Sequence, residues 1–270
     1  MTRRDFLLSS AAAMGACASG QAPTQSEIKG KKIVDDALAA LGGQNYLNMA
    51  DRTEAGRAYS YYRDQISGLS IATIYTRYLT IPSAKTGQAL GQLEKEVFGK
   101  NGDTSVLFLE DKGWEISWRG SRQMDQDRFD RYRETTLRNV LYIFRQRLQE
   151  PGMIFEFQSS DVVDNLPVDI VDITDSDDHV IHVHFHQSTK LPVRQLYKRK
   201  NEVTKEQDEE VTMYTRYLDA GGVMWPHSIR RLRNGDKVYE IFSETVKINK
   251  DLSDNFFTVP ETGASKPKKK

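Results

Sequence analysis

The sequence predicts a mainly β chain of the α+β class: one large antiparallel sheet, curved and open like an unclosed barrel, with helices on its concave side. Three observations predict it. Short extended runs recur along most of the 270 residues, about eleven in all, separated by tight turn signals. The stretch from Val211 to Pro260 holds three such runs, divided at Gly221-Gly222 and at Asn234-Gly235. Asn-Gly between extended runs is a hairpin signal because both residues tolerate a positive φ. One long amphipathic segment, about Asp125 to Gln149, interrupts the strands and carries an apolar stripe that must be buried on something. The sheet is the available surface.

A first helix is expected over Ile28–Leu41. Ile33, Val34, Ala37, Leu38 and Leu41 recur at helical spacing, Ser26 is placed to cap the start, and Gly42-Gly43 stops it. Gln44 to Ala50 adds a further turn. Strands are then expected over Gly56–Arg63, Leu69–Ile81, Gln92–Gly99, Thr104–Glu110 and Trp114–Arg119, joined by short connections and hence antiparallel. The long helix follows. Its stripe includes Phe129, Leu137, Leu141, Phe144 and Leu148, and its other side carries Arg128, Arg131, Arg133, Arg138, Arg145 and Arg147, read as a wet face. Pro151-Gly152 ends it. Strands resume over Met153–Phe157, Leu166–Thr174, Val180–Gln187, Leu191–Lys200 and Glu210–Asp219, leading into the final hairpins.

Composition excludes several functions. Basic and acidic residues balance at 38 each, and no basic block falls within the body, so nucleic acid is not expected as a partner. With Cys17 as the single cysteine, an intramolecular disulfide and a cysteine nucleophile in the body are ruled out. Nucleotide-binding and hydrolase motifs are absent, so a non-enzymatic protein without a cofactor is expected.

The first 20 residues read as an address. Arg3, Arg4, Phe6 and Leu7 resemble a twin-arginine export signal, followed by a Leu/Ser/Ala run too short to span a membrane. Met14-Gly15-Ala16-Cys17 resembles a lipobox, in which Cys17 takes the lipid and becomes the mature N-terminus. Ala16-Cys17-Ala18 also fits cleavage after Ala18. On either path the body works in the periplasm, anchored to a membrane if Cys17 is lipidated. The organisation is then a signal (1–17), a tether (18–27), one domain (28–260) and a basic tail (261–270).

Four histidines cluster at His179, His182, His184 and His186. On a strand the last three share a face, an arrangement that can hold zinc or copper once another strand adds a ligand. The plainer reading is a strand whose solvent face carries histidine. Asp172, Asp175, Asp177 and Asp178 lack the glycine and distal glutamate of a calcium loop and read as a turn. His227 reads as structural, and Glu240 and Glu244 as an ordinary strand pair. Trp114, Trp118, Phe129, Leu137, Leu141, Phe144, Phe155, Phe157 and Trp225 are candidates to line an apolar cavity, with core packing as the alternative for each.

Five segments in order carry a resemblance: the helix ending Asp36-Ala-Leu-Ala-Ala-Leu-Gly-Gly43, the antiparallel strands, Thr189-Lys-Leu-Pro-Val-Arg194, Gly222-Val-Met-Trp-Pro226, and Asp254-Asn-Phe-Phe-Thr-Val-Pro260. Together they resemble the outer-membrane lipoprotein-sorting (LolA/LolB-like) superfamily, over roughly residues 28–260. The resemblance implies an unclosed antiparallel β-barrel whose concave side is lidded by helices and holds acyl chains. It implies a lipid or an acylated protein as partner, or an envelope protein where the same fold serves as a sensor, and a monomer. The length of the 125–149 helix and the lone Cys17 depart from the soluble carriers of that superfamily.

Overall fold

The chain leaves its sheet at one edge and re-enters it at the other. In the computed structural model, which describes residues 22–82, 89–201 and 204–260, thirteen strands form one antiparallel sheet. They are β1 (Asp51–Tyr62), β2 (Gln65–Tyr78), β3 (Gln92–Phe98), β4 (Thr104–Phe108), β5 (Gly113–Ser117), β6 (Gly120–Gln123), β7 (Ile154–Val163), β8 (Leu166–Thr174), β9 (Val180–His186), β10 (Pro192–Lys200), β11 (Gln207–Asp219), β12 (Met224–Arg233) and β13 (Asp236–Ile248). The spatial order is β6-β5-β4-β3-β2-β1-β13-β12-β11-β10-β9-β8-β7. β6 and β7 are therefore the two free edges, and the sheet is curved and unclosed. Bulges at Ala55/Gly56, Arg231/Leu232 and Phe157/Ser159 add local twist to the ladder.

The expected architecture holds, with thirteen strands in place of about eleven. Gly120–Gln123 is an added strand, pairing Ile116 with Ser121 and Trp114 with Gln123. The Asn234-Gly235 hairpin forms as the sequence requires, with φ of 51° and 88°. Export-signal residues Arg3, Arg4, Phe6, Leu7 and Cys17, and the tail 261–270, lie outside the described residues. Among the described residues no helix is long and apolar enough to cross a membrane.

The first helix, α1, runs Gln25–Leu41, one turn longer than expected. Thr24 is its cap, in a reciprocal capping box with Glu27. Ser26 instead donates its hydroxyl to the Phe157 carbonyl, 2.6 Å away, tying the helix to β7. A Cβ on Gly30 would lie 2.5 Å from the Phe155 carbonyl oxygen, so glycine is what lets α1 lie against this edge strand. A short helix α2 (Gln44–Leu47) follows.

The segment between β6 and β7 has to cross the concave face, and there the single long helix predicted over 125–149 is broken. α3 spans Gln126–Leu137, α4 spans Val140–Tyr142, and a π-helical turn covers Ile143–Arg147. No proline or glycine causes the break. Asn139 leaves helical geometry and caps the Leu141 and Tyr142 amides with its side chain. Gln195, buried on β10, accepts from the Val140 amide at 2.7 Å and from the Tyr214 hydroxyl at 2.7 Å, and donates to the Arg138 carbonyl at 3.1 Å. One amide side chain thus satisfies both backbone groups freed by the break.

The predicted arginine face is likewise divided. Arg128, Arg131 and Arg133 are exposed, but Arg147 is buried. It donates to Glu150 at 2.6 and 2.9 Å, to Asp175 at 3.0 Å and to the Leu137 carbonyl at 2.6 Å, which pins the π turn to the β8–β9 turn. The main core lies under α1, α4 and the π turn, where Val34, Ala37, Leu41, Ile143 and Phe144 meet Val171, Ile173, Val183 and Phe185 of the sheet. A smaller cluster of Leu90, Phe108, Met124 and Phe129 seats α3.

Two substitutions test this packing. Gly30→Ala should lower stability by about 1–3 kcal/mol in urea titration, despite alanine's higher helix propensity, because the new methyl overlaps β7 backbone. A variant more stable than the parent would contradict the close approach. Gln195→Leu should cost about 2–4 kcal/mol by leaving buried groups of Arg138, Val140 and Tyr214 unpaired; an unchanged urea midpoint would contradict its role at the helix break.

Candidate functional site

The helices do not fill the concave face. Between the α3–α4 cover and the central strands lies a cavity of about 450 Å³. Its floor comes from β1, β2, β3, β12 and β13, where Ile74, Trp225, Ile229, Val238 and Ile241 supply apolar surface. Leu141 and Tyr142 contribute from α4, and Arg128, Arg131, Tyr132 and Thr135 from α3.

The lining is as polar as it is apolar, and the cause is register. Arg52, Thr76 and Glu94 form one row across β1, β2 and β3. Arg52 donates to Glu54 at 2.6 Å, to Tyr78 at 2.6 Å and to Thr76 at 3.0 Å. Thr76 donates on to Glu94 at 3.0 Å, and the Tyr132 hydroxyl donates to the other Glu94 oxygen at 3.1 Å. Ser243 closes the far side by donating to Glu54. The Arg52 guanidinium also lies 4.0 Å over the Trp225 ring, a favourable cation–π placement. Tyr132 stacks on Phe108 with ring centroids 3.5 Å apart, which holds α3 against β4. At the other end Glu210 accepts from Arg199 at 2.6 Å and Arg233 at 2.8 Å. These networks hold fixed dipoles in a low-dielectric space and suit recognition of a polar group better than an entirely apolar chain.

Of the nine side chains proposed to line an apolar cavity, Leu141 and Trp225 border this one. Phe144 and Phe155 are buried in the main core, Phe144 stacking on Phe185 with centroids 6.2 Å apart. Phe129 packs in the smaller cluster beneath α3. Leu137 is half-buried beside a separate surface depression that includes Asp130, Arg133 and Asp175. Phe157 faces α1, with the Lys29 ammonium 3.3 Å over its ring. Trp114 is half-buried, and Trp118 is 72 % exposed on the β5–β6 turn. Sequence reasoning missed the polar half. Its signal was the alternation Gln92, Glu94, Glu96 on one face of β3.

The histidine strand turns its apolar side to the core, through Ile181, Val183 and Phe185. His182 donates from Nδ1 to Asp172 at 2.5 Å, and His186 Nδ1 accepts from the Thr189 amide at 3.1 Å. Burial, with Arg194 nearby, pushes the His184 imidazole down to about 4, so it is neutral at physiological pH. Among the described residues no group of three or more His, Cys, Asp or Glu is placed to hold a metal ion. Asp175 accepts the Asp177 and His179 amides, as a turn residue does. His227 bonds the Ser243 carbonyl. Glu240 is no surface residue: it is buried between Tyr61 and Arg230.

Glu96 makes the cavity sensitive to pH. Burial, with Glu94 beside it, pushes its carboxyl up to about 7, against the opposing pull of Arg231 and Arg128. The folded state then holds this proton more tightly than the unfolded chain, where the carboxyl titrates near its ordinary value of about 4.3. Stability from that proton is fully present below the ordinary value and is lost as pH rises through about 7. Glu96→Gln should therefore raise stability by up to about 3–4 kcal/mol at pH 8 and leave it unchanged at pH 4. Urea titrations at the two pH values check this, and parallel pH profiles for the two proteins would contradict it.

No protein-family profile and no curated protein sequence matches the chain significantly. Solved structures do match. An outer-membrane lipoprotein-sorting protein domain from Vibrio parahaemolyticus superposes with a TM-score of 0.56 at 11 % identity, covering 86 % of this chain and 97 % of that one. A DUF1329-family protein from Desulfovibrio piger gives 0.57 at 15 % identity, covering 85 % and 97 %. A LolA-superfamily protein from Nitrosomonas europaea gives 0.50 at 13 % identity, again covering 85 % and 97 %. At these identities the likeness establishes the fold, which is LolA-like, as the sequence resemblance implied.

Proposed function

We propose that this protein is a non-enzymatic binder of an amphiphilic ligand in the bacterial envelope, a lipid or the acyl part of a lipoprotein, held in the cavity beneath α3 and α4. The observation that carries the reading is the cavity itself. A volume of about 450 Å³ lies within the range of about 300–1,000 Å³ typical of small-ligand sites. It lies in the middle of the concave face, between a helical cover and a floor where Ile74, Trp225, Ile229 and Ile241 alternate with charged side chains. Burying chain methylenes there is favourable by about 0.8 kcal/mol each, so binding needs no reactive group. The LolA-like fold supports an envelope role, and the superposed Vibrio domain is described as lipoprotein-sorting. Export through the Arg3–Arg4 signal and anchoring at Cys17 complete the proposal.

Native mass spectrometry tests it on protein recovered from a bacterial envelope without detergent. The expected result is an added mass that organic extraction removes. A bare polypeptide mass would contradict the reading and favour a protein-interaction role for the fold. Ile229→Trp, which fills the floor of the cavity, should lower loading at least fivefold with the far-ultraviolet circular dichroism preserved.

A further inference from the structure

The charges around the cavity are not matched. Its lining includes six arginines and four glutamates. Arg52 is held by Glu54, Tyr78 and Thr76, while Arg199 and Arg233 share Glu210. Arg128 pairs with Glu115 outside the cavity. Two cations are left over. Arg131, exposed on α3, and Arg231, half-buried on β12, make no ion pair among the described residues, and Arg231 Nε is buried without a hydrogen-bond partner. One belongs to the cover and the other to the floor, so an anion entering beneath α3 meets both. Glu96, the floor carboxyl that Arg231 and Arg128 act on, is pushed up to about 7 and so carries only about half a countercharge at neutral pH.

Size narrows the rest of the ligand. At about 30 Å³ for a group the size of a water or a methylene, about 450 Å³ takes about fifteen chain carbons. That volume matches one acyl chain. Ile74, Ile229 and Ile241, on β2, β12 and β13, offer it an apolar bed across the floor.

We infer that the cavity selects a single-chain amphiphile with an anionic head group, the head held between Arg131 and Arg231 and the chain laid over Ile74, Ile229 and Ile241. This inference rests on the ligand-binding reading above and adds the head-group charge and the chain number to it. Guanidinium groups suit the task because they bind carboxylate or phosphate in a forked, charge-assisted geometry.

Isothermal titration calorimetry with three palmitoyl probes below their micelle concentrations tests it: palmitate, lysophosphatidylglycerol and lysophosphatidylcholine. At least one of the two anionic probes should bind tenfold or more tighter than the zwitterionic one, and their ratio distinguishes a carboxylate from a phosphate head. Arg131→Glu and Arg231→Gln should each weaken the preferred anionic probe about tenfold and leave lysophosphatidylcholine within twofold. Arg131 is exposed, so its substitution removes no buried packing, and far-ultraviolet circular dichroism checks that both variants remain folded. Equal binding of the three probes, or a preference that survives both substitutions, overturns the head-group assignment and leaves chain binding standing. Failure of all three to bind overturns both.

Discussion

The crossing of the concave face by residues 124–153 is the constraint on which the rest of the structure depends. β6 and β7 lie at opposite edges of a thirteen-stranded sheet, and one stretch of chain has to join them. A single straight helix would pass over the curved floor without following it. The break at Arg138–Asn139 lets the crossing bend, and Gln195 makes the bend tolerable by taking up the backbone groups it exposes. Arg147 then fixes the far end against Asp175. The cavity is what remains beneath the bend, so the same hydrogen bonds that stabilise the crossing also set the height of the roof.

The concave face is divided by this arrangement. Over β7 to β11 it is apolar and filled, because α1, α4 and the π turn deliver Val34, Ala37, Leu41, Ile143 and Phe144 to it. Over β1 to β3 and β12 to β13 it is left open, and there the inward positions alternate between Ile74, Ile229 and Ile241 and the charged groups Arg52, Glu54, Glu94, Glu96 and Arg231. Buried charges of this kind are a poor way to gain stability, and their partners must be complete to be tolerated. Glu54 and Glu94 are hydrogen-bonded through both oxygens, whereas the buried Nε of Arg231 has no hydrogen-bond partner. An unpaired guanidinium nitrogen beside an open volume is the group that the proposed anionic ligand would complete.

Much of this fold was legible in the sequence because it is local. Asn234-Gly235 specifies its hairpin through backbone conformation alone, and Gly42-Gly43 ends α1 for the same reason. Gly120–Gln123 was not legible as a strand, since four small and polar residues carry no alternation and pair only because β5 offers an edge. The helix break was hidden too. Asn139 is an unremarkable helix residue until Gln195, 56 positions later in the chain, presents its amide. The candidate site was read in its apolar half only. Leu141 and Trp225 stand out as large apolar residues, whereas Arg52, Thr76 and Glu94 sit on three strands and become one group through cross-strand register. Phe144 shows the ambiguity of an apolar stripe: a helix stripe residue is as easily core as lining, and Phe144 is buried in the core.

Trp225 borders the cavity proposed to hold the ligand chain, on the same strand as Ile229, and fluorescence quenching measures how near a bound chain comes to it. With Trp114 and Trp118 replaced by phenylalanine, Trp225 is the one remaining tryptophan. Titration with a palmitic acid brominated at mid-chain should then quench most of the emission in a saturable way, and unbrominated palmitate should reverse it. Emission that stays constant while the brominated acid is bound would show that the chain lies elsewhere and would contradict the cavity beneath α3 and α4 as the binding site.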